Sequence, residues 1–306
     1  MRRRSFLQLV PAAAIAARWT PRAVAQATRR TRIILLGTAG GPTPKRGRAA
    51  PASVVVVDGV AYVVDCGNGV ARQLVLAGVD LNRIRHLFIT HHHSDHNADF
   101  GTLILLAWAA GLRTDVDTWG PPPLARMTDL FFEMSAPDID VRIADEGRAP
   151  LRPLVHPHDL KEGGTVVRDE RVVVRCALVH HPMVPMAFAY RVDGPDRSVV
   201  FSGDTTRSDA LIALARGADV LVHEAMFPEA YAADAAANAR SIARHILESH
   251  TAVEEVGRLA QEAGVKTLVL SHFVPDSNPQ AEEAWLPLAR KHFRGEVVLG
   301  RDLLEI

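Results

Sequence analysis

Four residues of metal-ligating type, His91, His93, Asp95 and His96, fall within six positions, directly after the run His86-Leu87-Phe88-Ile89-Thr90. That run reads as a short buried strand. Alternation along a strand sends His91 and His93 the same way, while a turn brings Asp95 and His96 round to a second position. One turn can therefore surround two cations. Imidazole and carboxylate donors suit zinc, with manganese or iron as the other candidates. An ordinary exposed loop does not call for this order of ligand types. A closed site needs further donors, so the fold must gather them from elsewhere in the chain.

The right types recur at strand ends. His180-His181-Pro182 follows Val172–Val179, Ser202-Gly203-Asp204-Thr205 follows Val199-Val200-Phe201, and Ser271-His272-Phe273 follows Thr267–Leu270. Singly, such residues are commoner in turns or at the surface. Their weight lies in repetition, since each terminates an apolar strand as the first cluster does. Asp204 is a carboxylate able to bridge two cations about 3.5–4 Å apart.

From Thr31 onwards strand and helix signals alternate without a low-complexity break or an internal repeat. Strands are expected at Ile33–Leu36, Val54–Val57, Tyr62–Val64, His86–Thr90, Val166–Ala177, Ala187–Val192, Val199–Ser202, Val220–His223, Thr267–Leu270 and Glu296–Leu299. The second and third form a hairpin turned at Asp58-Gly59. Helices are expected at Val70–Ala77, Asp99–Ala110, Ser208–Arg216, Glu229–Leu247, Ala252–Ala263 and Gln280–His292. A sheet-on-sheet core with helices outside uses that order, in one α/β domain. The 48% hydrophobic and 23% charged residues argue against disorder, and two cysteines exclude a disulfide scaffold or a cysteine-rich zinc module. Trp108, Trp119, Phe131, Phe132 and Met134 are candidates to line a pocket, although core positions suit most of them as well.

The N-terminus reads as an address. Arg2-Arg3-Arg4-Ser5-Phe6-Leu7 opens it, no further charge follows until Arg18, and Ala23-Val24-Ala25 has the small-x-small pattern of a cleavage site. The apolar stretch falls short of the about 20 residues that a membrane span needs. Adjacent arginines before Ser-Phe-Leu resemble a twin-arginine export signal. The expectation is a leader over residues 1–26, a hydrolase domain over 27–306, a periplasmic or secreted location, and no membrane association after cleavage.

With these motifs together, the chain resembles the metallo-β-lactamase superfamily of hydrolases, and within it the ribonuclease Z and arylsulfatase-like branch. The resemblance runs from Gly37-Thr38-Ala39-Gly40-Gly41 and Asp65-Cys66-Gly67-Asn68-Gly69 through the His/Asp cluster to Gly203-Asp204-Thr205, His223-Glu224-Ala225 and Ser271-His272-Phe273. It implies an αββα sandwich and two divalent metal ions, most simply Zn2+. By the same resemblance His91, His93 and His181 would hold one metal, Asp95, His96 and His272 the other, and Asp204 would bridge them. His180 is the rival to His181, which is preferred because it precedes proline. His250-Thr251 matches the family's His-Ser/Thr motif, making His250 the candidate that assists the leaving group, while Asp95 would orient the nucleophile. His223-Glu224-Ala225 resembles a His-Glu-Ala-Thr motif with a supporting role. Cys66 is expected to be packed rather than catalytic.

Departures from the family shape the functional expectation. Ser94 stands where ribonuclease Z usually has glycine, and no inserted arm is evident between Gly120 and Val179. Aspartate at 204, rather than cysteine, argues against zinc β-lactamase activity. All five charged residues of the leader are arginine, so 35 less 5 leaves 30 basic residues against 35 acidic ones, a formal −5. The resulting expectation is a dinuclear-metal hydroxide attacking a small anionic sulfate or phosphate ester, arylsulfatase-like, with no nucleic acid as partner. The alternatives are a ribonuclease Z-like phosphodiesterase of 3′ tRNA processing, a lactone or β-lactam hydrolase, and a non-catalytic periplasmic metal-binding protein. A homodimer is the candidate assembly.

Overall fold

Most strands of this chain are apolar at successive positions rather than at alternate ones, which requires that both of their faces be covered. In the computed structural model, which describes residues 30–229, 239–275 and 282–306, they are. Ile33 and Leu35 of β1 (Thr31–Gly37) point into a central layer that also holds Phe88, Tyr190, Val199 and Val269. Ile34 and Leu36 point the other way, into an outer layer with Leu74, Leu103 and Trp108. Across the molecule, Val200, Leu268 and Leu270 face a second outer layer with Leu259 and Trp285. Three separate apolar layers between four stacked layers of structure make the αββα sandwich that the motifs imply.

Each sheet has seven strands. The first runs β14-β1-β2-β3-β4-β5-β6, with β2 Ala52–Val57, β3 Val60–Val64, β4 Ile84–Phe88, β5 Val116–Gly120, β6 Val155–Asp159 and β14 Leu304–Glu305. The second runs β13-β12-β11-β10-β9-β8-β7, with β7 Gly164–Arg168, β8 Val173–Val179, β9 Ala187–Asp193, β10 Ser198–Phe201, β11 Val220–Met226, β12 Thr267–Val274 and β13 Glu296–Leu299. The expected β2–β3 hairpin forms, and both turn residues have positive φ (Asp58 48°, Gly59 79°), as a two-residue turn matched to strand twist demands. Strands β3, β4, β5 and β6 are mutually parallel, as are β10, β11, β12 and β13. Parallel neighbours present their carboxyl ends on one side, and that is where α/β sheets place their sites.

Two expectations are corrected. The single strand expected over Val166–Ala177 is a hairpin, β7–β8. Asp169 turns the chain there by accepting hydrogen bonds from the backbone N–H of Arg171 and Val172, each 2.7 Å. A 23-residue helix, Leu124–Glu146, occupies a stretch in which no helix was expected. It buries only Leu124, Thr128 and Ile139, so an apolar stripe by which a helix is recognised is absent. The other helices fall close to expectation at Val70–Leu76, Phe100–Ala109, Asp209–Ala215, Val253–Ala263 and Glu282–Arg290. Of the helix expected over Glu229–Leu247, the described part is Ala239–Ser249. The leader over residues 1–26 lies outside the described residues. Among those described, no helix is long and apolar enough to cross a membrane.

Candidate metal centre

The chain leaves β4 through Ile89 and Thr90, and His91 follows, fully buried. His93 still has extended backbone, after which Ser94–Asn97 makes one helical turn that buries Asp95 and His96. That change from extended to helical backbone separates the four donors into two directions. Gly67 makes room behind this turn: a Cβ there would lie 2.4 Å from the Asp95 carbonyl oxygen and 2.7 Å from that of Pro51.

The second sheet supplies the remaining donors from the ends of β8, β10 and β12. His181 is buried among the other candidate donors, whereas His180 is exposed. Asp204 follows Gly203, whose φ of +59° turns the chain off β10 beside Thr90 and the Phe188 carbonyl. His272 is the extra residue of a bulge in β12: Ser271 pairs with Glu224 and Phe273 with Ala225, and His272 itself has φ 44°. The bulge turns this imidazole out of the ladder and into the site.

All seven proposed ligands meet. Donor atoms of His91, His93, His181 and Asp204 lie within 4.8 Å of one another, and so do those of Asp95, His96 and His272. Asp204 stands between the two groups. Its Oδ2 is 3.8 Å from His91 Nε2, while its Oδ1 is 3.4 Å from His96 Nε2 and 3.2 Å from His272 Nε2. Asp95 Oδ2 is 3.4 Å from His272 Nε2 and 3.6 Å from His96 Nε2.

This donor set fits divalent cations. His91 Nε2 and Asp204 Oδ1 are buried without a hydrogen-bond partner, a costly state for polar atoms. His96 Nε2 and His272 Nε2 face each other at 3.1 Å. The outward nitrogens are engaged elsewhere: His96 Nδ1 is 2.8 Å from Asp65 Oδ2, and His181 Nδ1 is 3.2 Å from the Ser249 carbonyl. Such contacts leave the opposite nitrogen's lone pair directed into the site. Charge states agree. Burial, reinforced by neighbouring imidazoles, pushes His91 well below the usual histidine range, and burial brings His181 down to about 4. Burial opposes ionisation of Asp204, yet His272 and His96 hold its carboxyl well below the usual carboxylate range. Burial likewise opposes charge on His96, but Asp204, Asp65 and Asp95 pull it well up, a negative field equally available to a cation.

His250 joins from the far side, its ring 5.6 Å from that of His272 and 5.7 Å from that of His181. Its Nδ1 lies 3.3 Å from Glu224 Oε2, and Glu224 Oε1 accepts a 2.7 Å hydrogen bond from the Thr251 N–H. Burial works against charge on His250, but Glu224 and then Asp204 outweigh it and carry the group up to about 9. The site opens into a cleft of about 650 Å3 bordered by Gly40, Lys45, Asp95, His245 and His250. Trp108 is buried with its Nε1–H on the Ala149 carbonyl, Trp119 stacks on His158, and none of the five expected aromatic and Met residues borders the cleft. Cys66 is buried, and burial pushes its thiol pKa well up, as its packed role requires. Asp65, Ser249, His245 and the Glu224–His250 contact were not singled out from sequence, although Asp65 and Glu224 lie in quoted motifs.

The family model described as "Beta-lactamase superfamily domain" matches residues 60–273. A ribonuclease Z of Mycobacterium sp. (strain KMS) is 37% identical over 273 residues, covering 89% of this chain and 94% of the relative. Among solved structures, human tRNase Z, short form, superposes with a TM-score of 0.67 at 22% identity, covering 90% of this chain and 98% of that one. The metallo-β-lactamase fold protein YhfI from Bacillus subtilis superposes with a TM-score of 0.66 at 19% identity, over 90% and 99% of the two chains. Ribonuclease relatives of near full length overturn the expectation of a small anionic ester substrate and of no nucleic-acid partner. The net charge that prompted it is a sum over the whole surface. Recognition of a polyanion depends on the local field around the site, and here Lys45 borders the cleft beside the cation-binding donors.

Proposed function

This chain belongs to the β-lactamase superfamily, and from the branch it shares with ribonuclease Z we propose that it is a metal-dependent hydrolase that cleaves a phosphodiester bond in RNA. One observation carries the choice of RNA, the near full-length likeness to ribonucleases. Two divalent cations held by His91, His93, His181, Asp95, His96 and His272, with Asp204 between them, would lower the pKa of water and offset charge on the phosphate oxygens. The protein groups do the rest. Asp95, at the cleft wall, accepts a proton of the attacking water and orients its oxygen towards phosphorus. As the new P–O bond forms and the ester P–O bond breaks, His250 gives its proton to the departing oxygen. Glu224 supports that role by keeping His250 protonated and holding the ring in place.

The test is a substrate panel on purified, metal-loaded protein: precursor tRNA, an unstructured RNA, an aryl sulfate and a lactone. Cleavage of either RNA with chelator-sensitive kinetics supports the reading, and turnover confined to sulfate or lactone overturns it. The arginine-rich leader supports a further proposal, that the protein works outside the cytoplasm, where it would meet RNA other than nascent tRNA. N-terminal sequencing of protein recovered from the periplasm or medium checks this, with cleavage after Ala25 or Gln26 as the expected result.

A further inference from the structure

His245 lies on the helix Ala239–Ser249, five residues before His250, and borders the same cleft. Its ring centre is 6.5 Å from that of His93 and 6.5 Å from that of His181. The three rings of His91, His93 and His181 stand 4.7–5.0 Å apart, the spacing of imidazoles gathered on one ion. His245 is therefore one step outside that group, and it is absent from every cluster of donors close enough to share a cation among the described residues. His245 is exposed at the rim of the cleft, but its ring has a partner. Ser249 Oγ is 3.4 Å from His245 Nδ1, and the carbonyl of the same residue holds His181 Nδ1. Ser249 is fully buried, so it ties the orientation of His245 to that of His181. With Nδ1 occupied, Nε2 is left for the cleft.

The two cleft histidines consequently divide the site. His250 lies against His272 and His245 beside His93, while His181 sits between them, its ring 5.7 Å from that of His250 and 6.5 Å from that of His245. We propose that His245 is a substrate-binding residue whose Nε2–H donates to a non-bridging phosphate oxygen of the bound phosphodiester. This rests on the phosphodiesterase reading above and deepens it. It assigns ground-state binding to His245 and proton delivery to His250.

The experiment compares parent, His245→Ala and His245→Gln in their metal-loaded form, on a short RNA and on bis(p-nitrophenyl) phosphate. Metal content is read by mass spectrometry and folding by thermal unfolding. Expected are an unchanged metal content and Tm, and a KM for His245→Ala raised about tenfold or more, as loss of a hydrogen bond to a charged group implies. Its kcat should change little, and His245→Gln, which keeps a donor, should recover part of the KM. Loss of metal in either variant would make His245 a ligand and overturn the proposal, as would an unchanged KM. If the parent leaves RNA intact, the ribonuclease reading fails by itself. The small diester then decides the role of His245, a raised KM supporting it and an unaltered one refuting it.

Discussion

Replacing Asp65 with asparagine isolates one contact behind the site. Asp65 is buried at the end of β3 with φ 62°, a conformation that asparagine tolerates well. One carboxylate oxygen accepts the Thr90 N–H at 2.8 Å; the other takes His96 Nδ1 at 2.8 Å and the Thr90 hydroxyl at 3.0 Å. The side-chain carbonyl of the introduced asparagine can keep the Thr90 N–H, but its NH2 then meets the His96 Nδ1–H donor to donor. What is lost is a hydrogen bond to a charged acceptor in a water-poor site, about 1.5–3 kcal/mol. That corresponds to about a ten- to hundredfold weaker hold on the cation that His96 serves. Equilibrium competition against a chromophoric chelator measures it directly, with activity titrated against added metal as the second readout. Asp65→Ala makes a useful contrast, because it also strands the Thr90 N–H and puts alanine into left-handed backbone, so it should lower Tm as well. If Asp65→Asn folds normally and holds both cations as tightly as the parent, Asp65 does not set the donor state of His96 and the reasoning is wrong.

Asp204→Ala should lose both cations and all turnover, and retention of two metals per chain would refute the bridging role. Activity should fall at alkaline pH as His250 gives up its proton; burial already opposes that proton and Glu224 sustains it, so Glu224→Gln should move this limb to lower pH with metal content intact. A pH–kcat profile in which the limb stays put would separate His250 from the proton transfer. Gly67→Ala should cost about 1–3 kcal/mol of stability through overpacking against Asp95 and Pro51, read as a lowered Tm in thermal unfolding.

The cluster from His91 to His96 was legible because its donors are contiguous and one strand-to-helix transition separates them. His181, Asp204 and His272 were legible as polar residues closing apolar strands. What escaped was whatever depends on contact between distant segments. Glu224 and His250 are far apart in the chain, and only the parallel packing of β11 and β12 with the helices beside them makes the pair. Ser249 lies beyond the expected helix, and its buried carbonyl acquires meaning only from His181. The helix Leu124–Glu146 escaped for a different reason, since a mostly solvated helix needs no apolar period. The inference from net charge failed because charge summed over a surface carries no information about where that charge lies.

The donors are shared out between the two sheets: His91, His93, Asp95 and His96 leave the first, while His181, Asp204 and His272 leave the second. Backbone contacts such as the Phe188 N–H on the Thr90 carbonyl, 2.9 Å, join the sheets at the same rim. Each of the two donor groups draws on both sheets, so the full coordination sphere of either cation would form only once the sandwich has closed. Ion binding thus acts as a latch on the finished tertiary structure. At a thousandfold excess over the dissociation constant, one such ion adds about 4 kcal/mol against unfolding. Stripping the metals should then loosen the seam between the sheets first, so amide exchange at the carboxyl ends of β4 and β10 becomes a gauge of metal supply.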